Sequence, residues 1–212
     1  MFNFPATTQI DKVFSKEHLP RALRQRVEKI RWINKIQRES INLDESGEVR
    51  EFEIFRIDLK DDAVSQSDIL KIVSALDSKI KPPSLWRVYF NAGGHCCDLA
   101  FPRKSGEGVP EHLKDLEKFY IFAEMQALDF PIPPQATSIT ALWKLTLCNL
   151  AKIAYRPNET IKALRERKCQ IATLQKKIEQ LNKKLSNEKQ INRRTEIFKQ
   201  KQEIEKELQK IV

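Results

Sequence analysis

The stretch REFEIFRIDLKDDAVSQSDILKIVSALDSKIKPPSLWRVYFNAGGHCCDLAF (Arg50–Phe101) decides the fold. Arg50–Leu59 is rich in β-branched and aromatic residues, which suit a half-buried pleated surface. Phe52 and Ile54 share one parity, and Phe55, Ile57 and Leu59 share the other. Side chains alternate faces along a strand, so this change of parity predicts either a bulge near Phe55 or burial on both faces. Ile69, Leu70, Ile72, Val73, Leu76 and Ile80 then recur at the spacing of one apolar helix face. Ser65, with Asp68 three residues on, is a capping-box variant that starts this helix. Pro82-Pro83 stops it, since neither residue can donate to the helical ladder. Leu85–Phe90 and Cys96–Phe101 read as strands, and Asn91–Gly94 between them supplies the turn chemistry of a hairpin. A further strand over Lys118–Met125 extends the sheet.

Upstream, Pro20 suits the first position of a helix, and Leu23, Val27, Ile30, Ile33 and Ile36 give a stripe that predicts helix to about Gln37. Its other face would carry Arg21, Arg24, Arg31, Lys35 and Arg38. Residues 1–19 read as an extended leading segment, and Asp44-Glu45-Ser46-Gly47 as the turn into the central strand. Downstream, Pro102–Glu117 is a polar loop, and Asp129–Pro134 is a stiff connector. Lys104–Gly108 lacks the G-x-x-x-x-G-K-[ST] arrangement of a phosphate-binding loop. Thr137 or Ser138 caps a helix running to about Ile153, with Ile139, Leu142, Trp143, Thr146, Leu150 and Ile153 on one face. Leu145 and Leu147 lie off that face, so the helix is expected to be covered on two sides. Together these elements predict an α+β domain over residues 1–155, with a mainly antiparallel sheet around a β-α-β-β core.

The net charge of +9 is unevenly placed. Residues 156–212 carry 16 Lys/Arg and 8 Asp/Glu, whereas residues 1–155 carry 22 and 21. The tail has no Gly, and no Pro after Pro157. Leu164, Ile171, Leu174, Ile178, Leu181 and Leu185 fit a heptad seam that lapses at Arg167. Ile197, Ile204, Leu208 and Ile211 form a second stripe, rotated from the first, with the register broken at Ser186–Arg194. A helical hairpin or one long helix in a coiled coil would each satisfy this pattern, and the hairpin is favoured. Arg165, Arg167, Lys168, Lys176, Lys177, Lys183, Lys184, Arg193 and Arg194 are candidate contacts to nucleic-acid phosphates or to a protein partner.

Catalytic and metal sets were sought in the same way. Cys96, Cys97, Cys148 and Cys169 form no C-x-x-C pair and read as core thiols of a reducing cytoplasm. His18, His95 and His112 are scattered. Glu51, Glu53, Asp58 and Lys60 on the central strand offer a foothold for a divalent-metal nuclease, but the Asp…Glu-x-Lys order across successive strands is missing. No catalytic residue, metal ligand or cofactor is assigned. The leading residues lack a secretory pattern, and no apolar run is long enough to span a membrane, so the expected location is cytoplasmic.

Four stretches carry a family resemblance: VEKIRWINKIQRESINL (Val27–Leu43), VREFEIFRIDLK (Val49–Lys60), the PPSLWRVYF strand (Pro82–Phe90) and NEKQINRRTEI (Asn187–Ile197). Their order resembles family 4391 of the domains of unknown function, small prokaryotic proteins. The tail phrase E-K-Q-[FI]-N-[RK]-[RK] of that family is matched by Glu188–Arg194, which implies a shared role for Gln190, Asn192 and Arg193. The resemblance further implies an association with helicases and DNA methyltransferases in restriction-like phage-defence loci. The functional expectation is therefore a non-enzymatic accessory subunit, docking a helicase or methyltransferase and touching DNA backbone through its tail. The alternatives are a metal-dependent nuclease-like enzyme with a site on the central sheet, and a scaffold that self-assembles through the tail.

Overall fold

The computed structural model describes residues 4–61, 63–90, 95–108, 119–126, 132–134 and 136–212. Two compact units are present, Met1–Ile161 and Lys162–Val212. The first is built on one six-stranded sheet whose strands follow each other in sequence order. They are β1 (Gln9–Val13), β2 (Val27–Ile36), β3 (Phe52–Leu59), β4 (Ser84–Tyr89), β5 (His95–Ala100) and β6 (Ile121–Gln126). All neighbours are antiparallel except β3 and β4, which run parallel. A parallel pair needs a crossover, and here helix α2 (Gln66–Asp77) supplies it. The unit is α+β, as the patterning predicts.

Helix α2 starts where the capping signal places it: Ser65 is the N-cap and its Oγ accepts the Asp68 N–H at 3.1 Å. Its apolar face meets Val27, Ile30, Phe55, Ile57, Leu59, Trp86, Val88, Cys97, Leu99, Phe101 and Tyr120 in one core. Phe55 stacks on Trp86 with centroids 4.4 Å apart. The opposite face of the sheet is met by α3 (Ile139–Ala151), where Phe52 lies 5.0 Å from the Trp143 ring. The parity change in β3 thus reflects burial on both faces, and its register against β4 runs without a bulge.

The region expected to be a helix from Pro20 to Gln37 is a single helical turn, α1 (Arg21–Arg24), followed by the ten-residue strand β2. The physical reason lies in two irregularities. Val27 faces Leu59 and Lys29 faces Asp58, so Glu28 is an extra residue; Trp32 faces Phe55 and Asn34 faces Ile54, so Ile33 is another. Each extra residue turns a two-residue rhythm into three, which gives a strand the apolar spacing of a helix. Val27, Ile30 and Trp32 thereby join the α2 face, and Ile36 is opposite Phe52 on the α3 face. The expected basic helix face does not exist. Arg24 caps the loop through the Glu17 and Leu19 carbonyls, and Lys35 and Arg38 pair with Glu51 and Glu45.

The Asp44–Gly47 turn is present: the Asp44 carboxylate accepts from the Ser46 amide and hydroxyl. Gly47 has φ +101°, and a Cβ there would sit 2.8 Å from Thr140 Oγ1. Thr140 is on α3 and also accepts the Val49 N–H at 3.0 Å, so this turn clamps α3 to the start of β3. Ser138 is the α3 N-cap, and Lys152 ends the helix at φ 53°. Lys144, the charge that interrupts the α3 apolar run, is buried and donates to the carbonyls of Pro157 and Glu159 at 2.6 and 2.9 Å. Ile161 N–H donates to Glu48 Oε2 at 2.7 Å. Pro157, Glu159 and Ile161 are therefore tied to the α+β unit. The Asn91–Gly94 turn, most of the 102–117 loop and part of the 129–134 connector lie outside the described residues.

Candidate functional site

The second unit is two helices, α4 (Ile161–Asn187) and α5 (Ile191–Ile211). They fold back on each other as a hairpin. Leu181 of α4 and Ile204 of α5 line one groove, Lys184 and Ile197 another nearer the tip. At the far end Arg167 reaches the last turn of α5. Leu164, Ile171, Leu174 and Leu181 of the α4 seam are buried; Ile197, Ile204, Leu208 and Ile211 of the α5 stripe are half-buried. Both apolar patterns are therefore used within one chain.

The heptad lapse at Arg167 has a structural explanation. Its side chain is only 6% exposed, and Nη1 donates to the Ile211 carbonyl at 3.3 Å. A cation at a helix C-terminus meets the negative end of the helix dipole and satisfies a carbonyl that has no partner within the helix. Arg167 thus closes the hairpin and presents no free surface. Arg165 and Lys168 are half-buried. Lys176, Lys177, Lys183, Lys184, Gln190, Asn192, Arg193 and Arg194 are exposed.

The family-like phrase Glu188–Arg194 is the hairpin tip. Glu188 Oε1 accepts the Gln190 N–H at 2.9 Å, and Gln190 is the N-cap of α5 in extended conformation. These two residues have a turn-forming job that explains their place. Asn192, Arg193 and Arg194 point outward and make no side-chain hydrogen bond or ion pair among the described residues. Between Lys183 and Arg194 there are five basic residues and one acidic residue, whereas Thr195–Val212 carries four of each. The positive charge of α5 is thereby confined to the tip, where the α5 N-terminus adds the positive end of its dipole.

The residues considered for a metal site do not come together. Glu53 and Asp58 are an odd number of positions apart on an unbulged strand, so they occupy opposite faces of the sheet. Glu53 is 9% exposed, and burial together with the neighbouring Glu51 pushes its carboxyl up to about 7. Asp58 accepts from Arg56 Nε at 2.6 Å, and Lys60 is exposed past the strand end. Among the described residues no group of three or more His, Cys, Asp or Glu could hold a metal. His18 and His95 are exposed, and His112 lies outside the described residues. Cys96, Cys97 and Cys148 are buried and not in disulfides, and burial raises the Cys97 thiol far above its ordinary range.

Sequence reasoning missed the charged groups inside the first unit. Arg103 and Asp77 form a fully buried bidentate pair at 3.2 and 3.1 Å. Around them, Ser84 and Trp86 donate to Asp77 Oδ1 and Tyr120 to Oδ2, while Arg103 also reaches the Ile80 and Pro82 carbonyls. The network ties the end of α2 to β4 and to the chain after β5. Across β4 and β5, Arg87 and Asp98 pair at 2.8 Å through both carboxylate oxygens. On the same face Arg31, Arg56 and Arg87 lie directly opposite one another on β2, β3 and β4. An arginine on each of three strands is visible in the sequence, but their register is not.

The chain belongs to the family described as a domain of unknown function (DUF4391), whose model matches residues 2–208. No curated protein and no solved structure matches it. No helix among the described residues is long and apolar enough to cross a membrane.

Proposed function

We propose that this protein is a non-enzymatic accessory subunit of a bacterial DNA-processing, restriction-like defence system, docking a helicase or DNA methyltransferase. In this reading the helical hairpin is the contact element, and its basic tip meets an acidic surface of the partner or the DNA backbone. The observation that carries it is the outward cluster of Lys183, Lys184, Arg193 and Arg194 at a hairpin tip held in shape by the Glu188–Gln190 turn. Exposed lysines and arginines clustered at a hairpin tip supply phosphate affinity without sequence readout. The test is affinity purification of the tagged full chain from its host, with and without nuclease treatment, beside a variant with those four residues changed to Gln. A helicase or methyltransferase retained after nuclease and lost in the variant supports docking through the tip. Retention that depends on DNA supports backbone binding, and in that case the salt dependence of DNA affinity should flatten in the variant. Capture of neither partner nor DNA would overturn the proposal.

A second reading, self-assembly through the tail, is favoured by one specific observation. Ile191 and Phe198 of α5 and Val212 just past its end are 79%, 49% and 41% exposed and lie at multiples of seven residues. Light scattering on the full chain tests it: a dimer that Phe198→Glu converts to monomer would support assembly, and a monodisperse monomer would remove it.

A further inference from the structure

The row of arginines across the sheet has a feature that the buried pairs lack. Arg87 is paired in bidentate fashion by Asp98, whereas Arg31 and Arg56 share Asp58, and only Arg31 has a second carboxylate, the exposed Asp11. Arg56 donates only through Nε, at 2.6 Å, and its guanidinium lies 4.0 Å over the Tyr89 ring, which fixes its plane. The Arg31 side chain makes no hydrogen bond among the described residues: its ion pairs to Asp58 and Asp11 are 3.8 and 3.7 Å long, and its Nε is buried without a partner. Like charges directly opposite on neighbouring strands repel. Asp58 offsets this repulsion only in part, so the two side chains hold unused N–H donors that a further anion could take.

A pocket of about 360 Å³ opens beside Arg56, lined by Glu28, Lys29, Arg56, Asp58, Leu59, Tyr89 and Phe90, and Arg31 adjoins it through its ion pair to Asp58. It sits at the carboxyl ends of the parallel strands β3 and β4, where ligands of open α/β sheets are commonly received. We propose that Arg31 and Arg56 form a binding site for a phosphate monoester at the Asp58 side of this pocket. The paired forks match the tetrahedral oxygens of a phosphate, which two guanidiniums can grip from two sides. Lys29 adds a third cation at the rim. Asp58 orients both arginines, and Glu28 and Asp11 are exposed to water, where screening weakens their repulsion of a dianion. The pocket is small for a drug-sized molecule and fits a phosphate with its attached sugar. A free nucleotide and the 5′ end of a nucleic-acid strand carry this same group. The inference is independent of the hairpin and does not rest on its role.

Calorimetric titration of the full chain at fixed ionic strength tests it with three probes: inorganic phosphate, adenosine 5′-monophosphate, and single-stranded DNA with and without a 5′-phosphate. Saturable binding is expected, weakened roughly ten- to a hundredfold by Arg56→Gln or Arg31→Gln, less by Arg56→Lys, and unchanged by Lys183→Gln with Lys184→Gln. Comparable binding of phosphate and the mononucleotide assigns the site to free monoesters; DNA binding that requires the 5′-phosphate and Arg56 assigns it to strand ends. In the unaltered chain, phosphate should protect Arg31 and Arg56 from phenylglyoxal, a readout that does not depend on any variant folding. Absence of binding by all three probes overturns the proposal, as do absence of protection and binding abolished by the tip variants instead.

Discussion

The two units handle positive charge in opposite ways. In the α+β unit, Arg103 and Arg87 are drawn inside and matched one to one by Asp77 and Asp98. In the hairpin, one arginine is buried to cap a helix, Arg165 and Lys168 are half-buried, and the excess of positive charge at the tip is exposed. Removing a guanidinium from water is costly unless each donor finds a partner, and a sheet can supply carboxylates and carbonyls from several directions. A two-helix hairpin has only one seam, so most of its lysines and arginines remain on its surface. Charge is thus a device of internal order in the first unit and a surface property in the second. Neutralising it should cost stability in one and binding in the other.

The largest effect is expected from Arg103→Met, which leaves Asp77 buried without its counter-ion and strands the Ile80 and Pro82 carbonyls. Chemical denaturation should show a loss of about 3–5 kcal/mol. A loss below 1 kcal/mol would break the contrast between the units. Gly47→Ala should come next, because the backbone is left-handed there and the new Cβ meets Thr140 at 2.8 Å. Its cost is about 1–3 kcal/mol, and it should exceed that of Gly106→Ala, where φ is +81° but nothing lies within 4 Å.

Glu53 sharpens the comparison through pH. Burial and Glu51 raise its folded carboxyl from 4.5 to about 7, so the folded state holds the proton more tightly than the unfolded chain does. Stability contributed by this group is therefore full below the unfolded value and declines as pH rises through the folded one, from about 4.5 to about 7. Glu53→Gln should flatten that decline and raise stability at pH 8 by on the order of 2 kcal/mol, read as a shift in urea midpoint across pH. The smallest effect is expected from Arg167→Ala, which removes the Nη1 donor from the Ile211 carbonyl. The loss should be about 1 kcal/mol, confined to faster amide exchange in the last turn of α5.

Local signals were legible wherever chemistry is local. Ser65 and Ser138 cap the helices that their positions announce, and Asp44–Gly47 forms the expected turn. The strands around Trp86, Leu99 and Phe122 follow from β-branched and aromatic runs. The misreading at Leu23–Ile36 came from period alone. Two bulges gave β2 a helical rhythm, and Trp32, Ile30, Ile33 and Val27 carried the β-propensity that would have corrected it. Of the site, the exposed tip was legible as a run of Lys and Arg at a register break. The Arg31–Arg56 juxtaposition was not, because it depends on which residues of β2 and β3 face each other.

By itself the sequence determined the element chemistry: the α2 crossover, the α3 cap, the hairpin's two stripes and the asymmetry of charge. These follow from spacing, caps and composition within a few residues. Only the tertiary structure decided that residues 27–36 are a strand, that Arg167 is a cap and that Glu53 and Asp58 are apart. It also decided that Arg103 meets Asp77 across 26 residues and that three arginines line up across the sheet. Pairing register and burial are collective: each is set by the sum of cross-strand and core contacts, which no local window of residues contains.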